Sequence, residues 1–139
     1  MTGAMMPKNV VFTNGCFDIL HTGHLRLFKY CKSLGEYLVV AIDTDDRVKE
    51  NKGPSRPVNN LEERIEMLSA LRDVDEVKFF SSDIELTNLV KSIKPQFMVV
   101  GNDYENKIVI GSEYAKELRF FRRIDGYSST GKIKNISDR

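Results

Sequence analysis

Tyr37, Leu38, Val39, Val40, Ala41 and Ile42 form an unbroken apolar run. A run this short, with no polar alternation, suits a strand buried on both faces, as at the centre of a parallel sheet. Such a sheet needs helices on either side of it. The flanking sequence supplies the first. From Thr22 onward, Leu27, Phe28, Cys31 and Leu34 share one helical face, and Gly35 ends the helix. Upstream, Val10, Val11 and Phe12 make a short β-rich run that leads into Asn14-Gly15.

The alternation continues downstream. Asn60 is an N-cap, with Glu63 three residues later in a capping-box arrangement, so a helix is predicted over residues 61–71. Residues 74–80 read as a strand. Ser81, Ser82 and Asp83 then cap a helix carrying Leu86, Leu89, Val90 and Ile93, which Pro95 stops. Phe97, Met98, Val99 and Val100 form another buried strand, residues 118–121 the last strand, and residues 128–136 a closing helix. Residues 47–58, with Gly53, Pro54 and Pro57, are predicted as a loop. The pattern predicts an α/β fold: a Rossmann-like, doubly wound, mostly parallel five-stranded sheet with helices on both faces. Residues 1–8 are expected as a flexible leader and residues 9–139 as one domain, since a chain of 139 residues suits a single core.

The formal net charge of +1 argues against a protein that coats nucleic acid. No apolar run approaches the ~20 residues of a membrane span, and the first residues lack the layout of a secretory signal. A cytoplasmic location is expected. Cys16 and Cys31 form no C-x-x-C pair, so neither a structural zinc site nor a redox motif is indicated. Cys31 reads as a core residue.

Ligands of such sheets bind beyond the carboxyl ends of the strands. After the first strand come Thr13, Asn14, Gly15, Cys16, Phe17 and Asp18, then His21, Thr22, Gly23 and His24. A glycine turn running into a helix N-terminus offers backbone N–H groups to a phosphate, and the two imidazoles can donate to phosphate oxygens. The alternatives are histidines that only cap or pack, and a zinc site, for which the spacing is poor. Asp43, Asp45 and Asp46 follow the second strand, either as solvated acids or as partners of a ribose hydroxyl. Arg64 falls inside the apolar arc of Leu61, Ile65, Leu68 and Leu71, where it needs an anion, either a buried acid or a phosphate. Gly101, Asn102, Asp103 and Tyr104 follow the fourth strand. Arg122 and Arg123, then Gly126, Ser128, Ser129 and Thr130, follow the fifth, as an N-cap or a second anion site.

These motifs resemble those of the cytidylyltransferase-like nucleotidyltransferases. Gly15-Cys16-Phe17-Asp18 followed by His21-Thr22-Gly23-His24 is similar to that family's G-x-F-D and H-x-G-H signature. Arg123, Gly126, Ser128, Ser129 and Thr130 are similar to its R-x-x-G-x-S-T-T signature, with Ser129 where threonine is usual and Gly131 after Thr130. Lys52-Gly53, Arg56-Pro57-Val58, Gly101 to Tyr104 and Gly111-Ser112-Glu113 most resemble the heptose 1-phosphate adenylyltransferase branch. Asn102 departs from its usual residue. Glycerol 3-phosphate cytidylyltransferases come second. FAD synthetases of archaea come third, but their C-terminal cysteines are absent here.

The resemblance implies transfer of a nucleoside monophosphate from ATP to a sugar 1-phosphate, with release of pyrophosphate. CTP with glycerol 3-phosphate, or with a related polyol phosphate or phosphonate, is the alternative. It implies that His21 and His24 stabilise the α-phosphate, that Lys52 closes over the phosphates, and that Arg123, Ser129 and Thr130 hold the β- and γ-phosphates. Thr13, Asn14, Gly15, Cys16, Phe17, Gly23, Gly101 and Ser128 would line the nucleotide site. Asp18, Asp45 and Asp103 become candidates for Mg²⁺, ribose or nucleotide, and Arg64, Asn102 and Tyr104 for the acceptor. Mg²⁺ is the expected cofactor, carried by the triphosphate. A homodimer is expected, and neither nucleic acid nor membrane is an expected partner. A catalytically idle nucleotide-binding module is the alternative from another class. Its sign would be loss of a histidine, Lys52 or Arg123, and all are present.

Overall fold

A computed structural model of the chain describes residues 9–122. Its elements are β1 (Val10–Gly15), α1 (Thr22–Leu34), β2 (Tyr37–Asp43), α2 (Asp45–Lys52), α3 (Leu61–Ser69), β3 (Glu76–Phe80), α4 (Asp83–Ile93), β4 (Phe97–Gly101) and β5 (Glu117–Phe121). Single 3-10 turns at Asn102–Tyr104 and Ser112–Tyr114 lie between the last two strands. The five strands are ordered β3-β2-β1-β4-β5 and every pairing is parallel. The predicted Rossmann-like architecture is therefore the observed one.

Residue alternation along the strands divides the interior into two cores. Val11, Leu38, Val40, Ile42 and Val99 meet Phe28 and Cys31 of α1 and Leu68 of α3. Phe12, Val39, Ala41, Met98 and Val100 meet Leu86 and Val90 of α4. β2 contributes to both, which is why its sequence is apolar throughout. At the end of α1, Gly35 passes so close to β1 that a Cβ there would lie 2.0 Å from the Asn9 carbonyl oxygen. Asn60 and Glu63 form the predicted capping box of α3, and Ser82 caps α4.

Residues 47–58 are not all loop. Residues 45–52 form α2, which has acids in its first turn and Lys49 and Lys52 in its last, the order the helix dipole favours. Only Val48 is buried on it. The loop begins at Gly53, whose φ of 107° suits glycine. The predicted closing helix at residues 128–136 lies outside the described residues.

Strand pairing also prepares a crevice. β1 pairs with β2 over its whole length, but with β4 only from Val11 to Thr13. The Thr13 hydroxyl donates to the Val99 carbonyl at 2.8 Å beside the last of these pairs. Beyond it, Asn14 and Gly15 part from β4. This is where strand order reverses, the place ligands occupy in open α/β sheets.

Candidate active site

A cavity of about 500 Å³ opens at that divide, within the range of small-ligand sites. Thr13, Asn14, Gly15, Cys16, Phe17, His21, Gly23, His24, Lys52, Gly101 and Tyr104, all singled out from sequence, line it. Arg26, Asp43, Arg47, Asn51, Phe80 and Leu86 join them.

The histidines combine the two roles that sequence left as alternatives. His21 is the N-cap of α1, and its Nδ1 accepts the Gly23 N–H at 3.1 Å. His24 reaches back, and its Nδ1 accepts the His21 N–H at 3.3 Å. This reciprocal cap consumes two of the backbone donors expected to serve a phosphate. In exchange it fixes each neutral imidazole with its proton on Nε2. The rings stack with centroids 3.8 Å apart. Both stacked imidazoles line the cavity wall.

Phe17 buttresses this pair. Its ring meets His24 edge-on at 5.2 Å and Phe28 at 5.2 Å. A Cβ at Gly15 would lie 3.1 Å from the same ring. Phe17 adopts a φ of 49°, sparsely populated for a bulky residue. Asn14 Oδ1 is buried with no hydrogen-bond partner among the described residues. Burial pushes the Cys16 thiol above its usual range, with Lys52 and Arg64 partly opposing it. The thiol is therefore neutral at physiological pH.

Three residues that the resemblance assigns to ligands have structural duties in the fold. Asp18 is 2% exposed. Its carboxylate accepts from Arg56 Nε at 3.2 Å and from the backbone N–H groups of Val58 and Asn59 at 2.7 Å each. It anchors the loop before α3. Arg64 is 1% exposed. It donates to the carbonyls of Asn59, Cys16 and Asp43 at 3.0, 3.1 and 2.7 Å, and to Asp45 Oδ1 at 2.7 Å. Of its two readings, the acid partner is the one realised, and Asp45 is that acid. Arg64 thereby ties the ends of β1 and β2 to α3, and neither Arg64 nor Asp45 lines the cavity. Asn102 and Asp103 also lie outside the lining. Arg123, Ser128, Ser129 and Thr130 lie outside the described residues.

Sequence reasoning passed over Arg47, Asn51 and Phe80. Asp43 was one of three equivalent acids, yet it is the one that faces the cavity. Recognising α2 would have exposed the first two, because Arg47 and Asn51 are four residues apart on one helical face.

A parallel sheet of this order, with a ligand-sized crevice and paired imidazoles at its divide, defines a Rossmann-like nucleotide-site domain. The chain belongs to the cytidylyltransferase-like family, whose model matches residues 12–135. It is 50% identical over 129 residues to the bifunctional protein HldE of Sulfurimonas denitrificans, covering 93% of this chain and 27% of that protein. The HldE of Helicobacter pylori is 43% identical, over 93% of this chain and 28% of its own length. The chain thus spans little more than a quarter of these relatives. Among solved structures, a lipopolysaccharide core biosynthesis protein from Thermoplasma volcanium superposes with a TM-score of 0.69 at 27% identity, covering 84% of this chain and 98% of that one. A pantoate-beta-alanine ligase from Francisella tularensis gives 0.61 at 20% identity, covering 91% and 65%, a likeness of fold.

Proposed function

We propose that this chain is a nucleotidyltransferase that moves AMP from ATP onto the phosphate of a sugar 1-phosphate. A phosphate oxygen of the acceptor forms a bond to the α-phosphorus, the bond from that phosphorus to the β-phosphate oxygen breaks, and pyrophosphate leaves on the opposite side. The observation that carries this reading is the reciprocal histidine cap. It holds two Nε2–H donors at the sheet's divide, where charge on the α-phosphate would grow in the transition state. Lys52, exposed at the end of α2 and followed by Gly53, supplies a mobile positive charge at the cavity rim. The Cys16 thiol in the cavity wall is kept neutral by burial, which suits direct transfer by positioning and electrostatics.

The choice of a sugar acceptor is supported by the Lys52-Gly53, Arg56-Pro57-Val58 and Gly101-to-Tyr104 segments, and by the likeness to HldE and to the lipopolysaccharide core protein. Arg123, Ser129 and Thr130 would hold the β- and γ-phosphates. Mg²⁺ belongs to the proposal as a passenger of the triphosphate. Among the described residues no three ligating side chains cluster, so the protein would supply little of its coordination. Homodimer formation and a cytoplasmic location belong to it too. No helix among the described residues is long and apolar enough to cross a membrane.

The test is pyrophosphate release with Mg²⁺, crossing ATP and CTP with heptose 1-phosphate and glycerol 3-phosphate. Release confined to ATP with the sugar phosphate is expected. Release confined to CTP would move the chain to the cytidylyltransferase branch.

A further inference from the structure

We propose that Asp43, Arg47 and Asn51 form a subsite that binds the hydroxyl groups of the acceptor, selecting a polyhydroxylated sugar over a shorter polyol. This deepens the transferase reading and rests on it.

The three residues stand in one row. Asp43 ends β2, and Arg47 and Asn51 follow at successive turns of α2, all lining the cavity. Arg47 is held rigidly. Its Nη2 donates to Asp83 at 2.6 Å, and its guanidinium lies 5.4 Å from the centre of the buried Phe80 ring. Its Nε lies 3.7 Å from Asp43 Oδ2, too far for a hydrogen bond, and this buried N–H has no hydrogen-bond partner among the described residues. No other side chain among them donates to the Asp43 carboxylate within hydrogen-bonding distance. Burial pushes that carboxyl's proton affinity above the ordinary range, with Arg47 first among the charges opposing it.

Charge decides what such a row binds. The Arg47 charge is already shared between Asp43 and Asp83, so the row is a poorer phosphate site than Lys52 at the cavity rim. The phosphates belong at the histidines and Lys52. A neutral group bearing several hydroxyls is different. It can donate to the Asp43 carboxylate and accept from Arg47 Nε–H and the Asn51 amide, so the unpartnered Arg47 N–H gains an acceptor. The opposite wing, with Tyr104, Ile108, Val109, Ile110 and Phe121, is apolar and aromatic and suits the flat base. Nucleotide and sugar are thereby separated on either side of the imidazoles.

The experiment is calorimetric titration of heptose 1-phosphate into wild type, Asp43→Asn and Asn51→Ala, each saturated with a non-hydrolysable ATP analogue and Mg²⁺. Glycerol 3-phosphate serves as the comparison, and the analogue's own affinity is measured separately. Both variants are expected to bind the sugar phosphate at least tenfold more weakly, with analogue affinity within twofold of wild type and a smaller preference over glycerol 3-phosphate. Variants that bind the sugar phosphate as wild type does would overturn the subsite and leave the transferase reading intact. Weaker analogue binding with unchanged sugar binding would assign Asp43 to the ribose and overturn it equally. Wild type that binds no sugar phosphate would overturn the underlying reading, and the subsite with it.

Discussion

Replacing Arg64 by leucine removes four hydrogen bonds in one step. Three end on carbonyl oxygens of Asn59, Cys16 and Asp43, and the fourth on Asp45. The side chain of Arg64 is fully buried, whereas that of Asp45 is 36% exposed. Asp45 can therefore turn to water, while the carbonyls beneath α3 are poorly placed to do so. A buried acceptor left unpaired costs about 1–3 kcal/mol. Loss of the ion pair adds less than the roughly 3–5 kcal/mol of a fully buried pair, because Asp45 is left able to reach water. Leucine's own burial offsets part of the loss, so a net destabilisation of roughly 3–5 kcal/mol is expected, a large share of a domain's total of about 5–15 kcal/mol. Urea unfolding followed by circular dichroism should show a midpoint about 2 M lower, taking a slope near 2 kcal/mol per M. Arg64→Lys should recover only part of this, since one ammonium cannot span four acceptors in the plane of a guanidinium. A leucine variant with an unchanged midpoint and weakened ligand binding would refute the structural role and return Arg64 to the acceptor.

Two other perturbations have worked signs. Gly35→Ala places a methyl group against the Asn9 carbonyl and should cost about 1–3 kcal/mol through the backbone shift it forces, read as a lower melting temperature; an unchanged melting curve would contradict the close approach of α1 to β1. Asp43 has a folded-state pKa raised by burial, so the native state holds this proton more tightly than the unfolded chain and stability falls as pH rises through the window above the ordinary aspartate value. Asp43→Asn should therefore be more stable than wild type at pH 7, with the gap closing toward pH 4 in paired melting curves, and a variant less stable at neutral pH would contradict the burial cost.

The sheet was legible because β2 is apolar on both faces and because capping residues punctuate α1, α3 and α4. The helix α2 was not. Asp45, Asp46, Lys49, Glu50 and Lys52 surround a single buried Val48, so no apolar stripe marks it, and Gly53 with Pro54 drew the loop boundary too early. The histidine end of the cavity was legible for a related reason: glycine, histidine and turn lie within ten residues. The anchoring role of Asp18 was not legible because its partners, Arg56, Val58 and Asn59, lie about forty residues away, beyond the reach of any local pattern. Arg64 carried a usable signal, a charge in an apolar arc, but the wheel could not say which anion it met. Only the fold, which brings Asp45 and three carbonyls to one point, answers that.

The central claim is that the histidine pair stabilises charge on the α-phosphate, and His24→Ala tests it most directly. Turnover and nucleotide affinity would be measured together, using the nucleotide and acceptor that release pyrophosphate with wild type. Loss of a preorganised donor to the reacting phosphate should cut kcat by about 10²- to 10³-fold, with nucleotide affinity within a few-fold and the melting temperature lowered only by the lost cap. A kcat near wild type would leave His24 as a capping residue and contradict the mechanism.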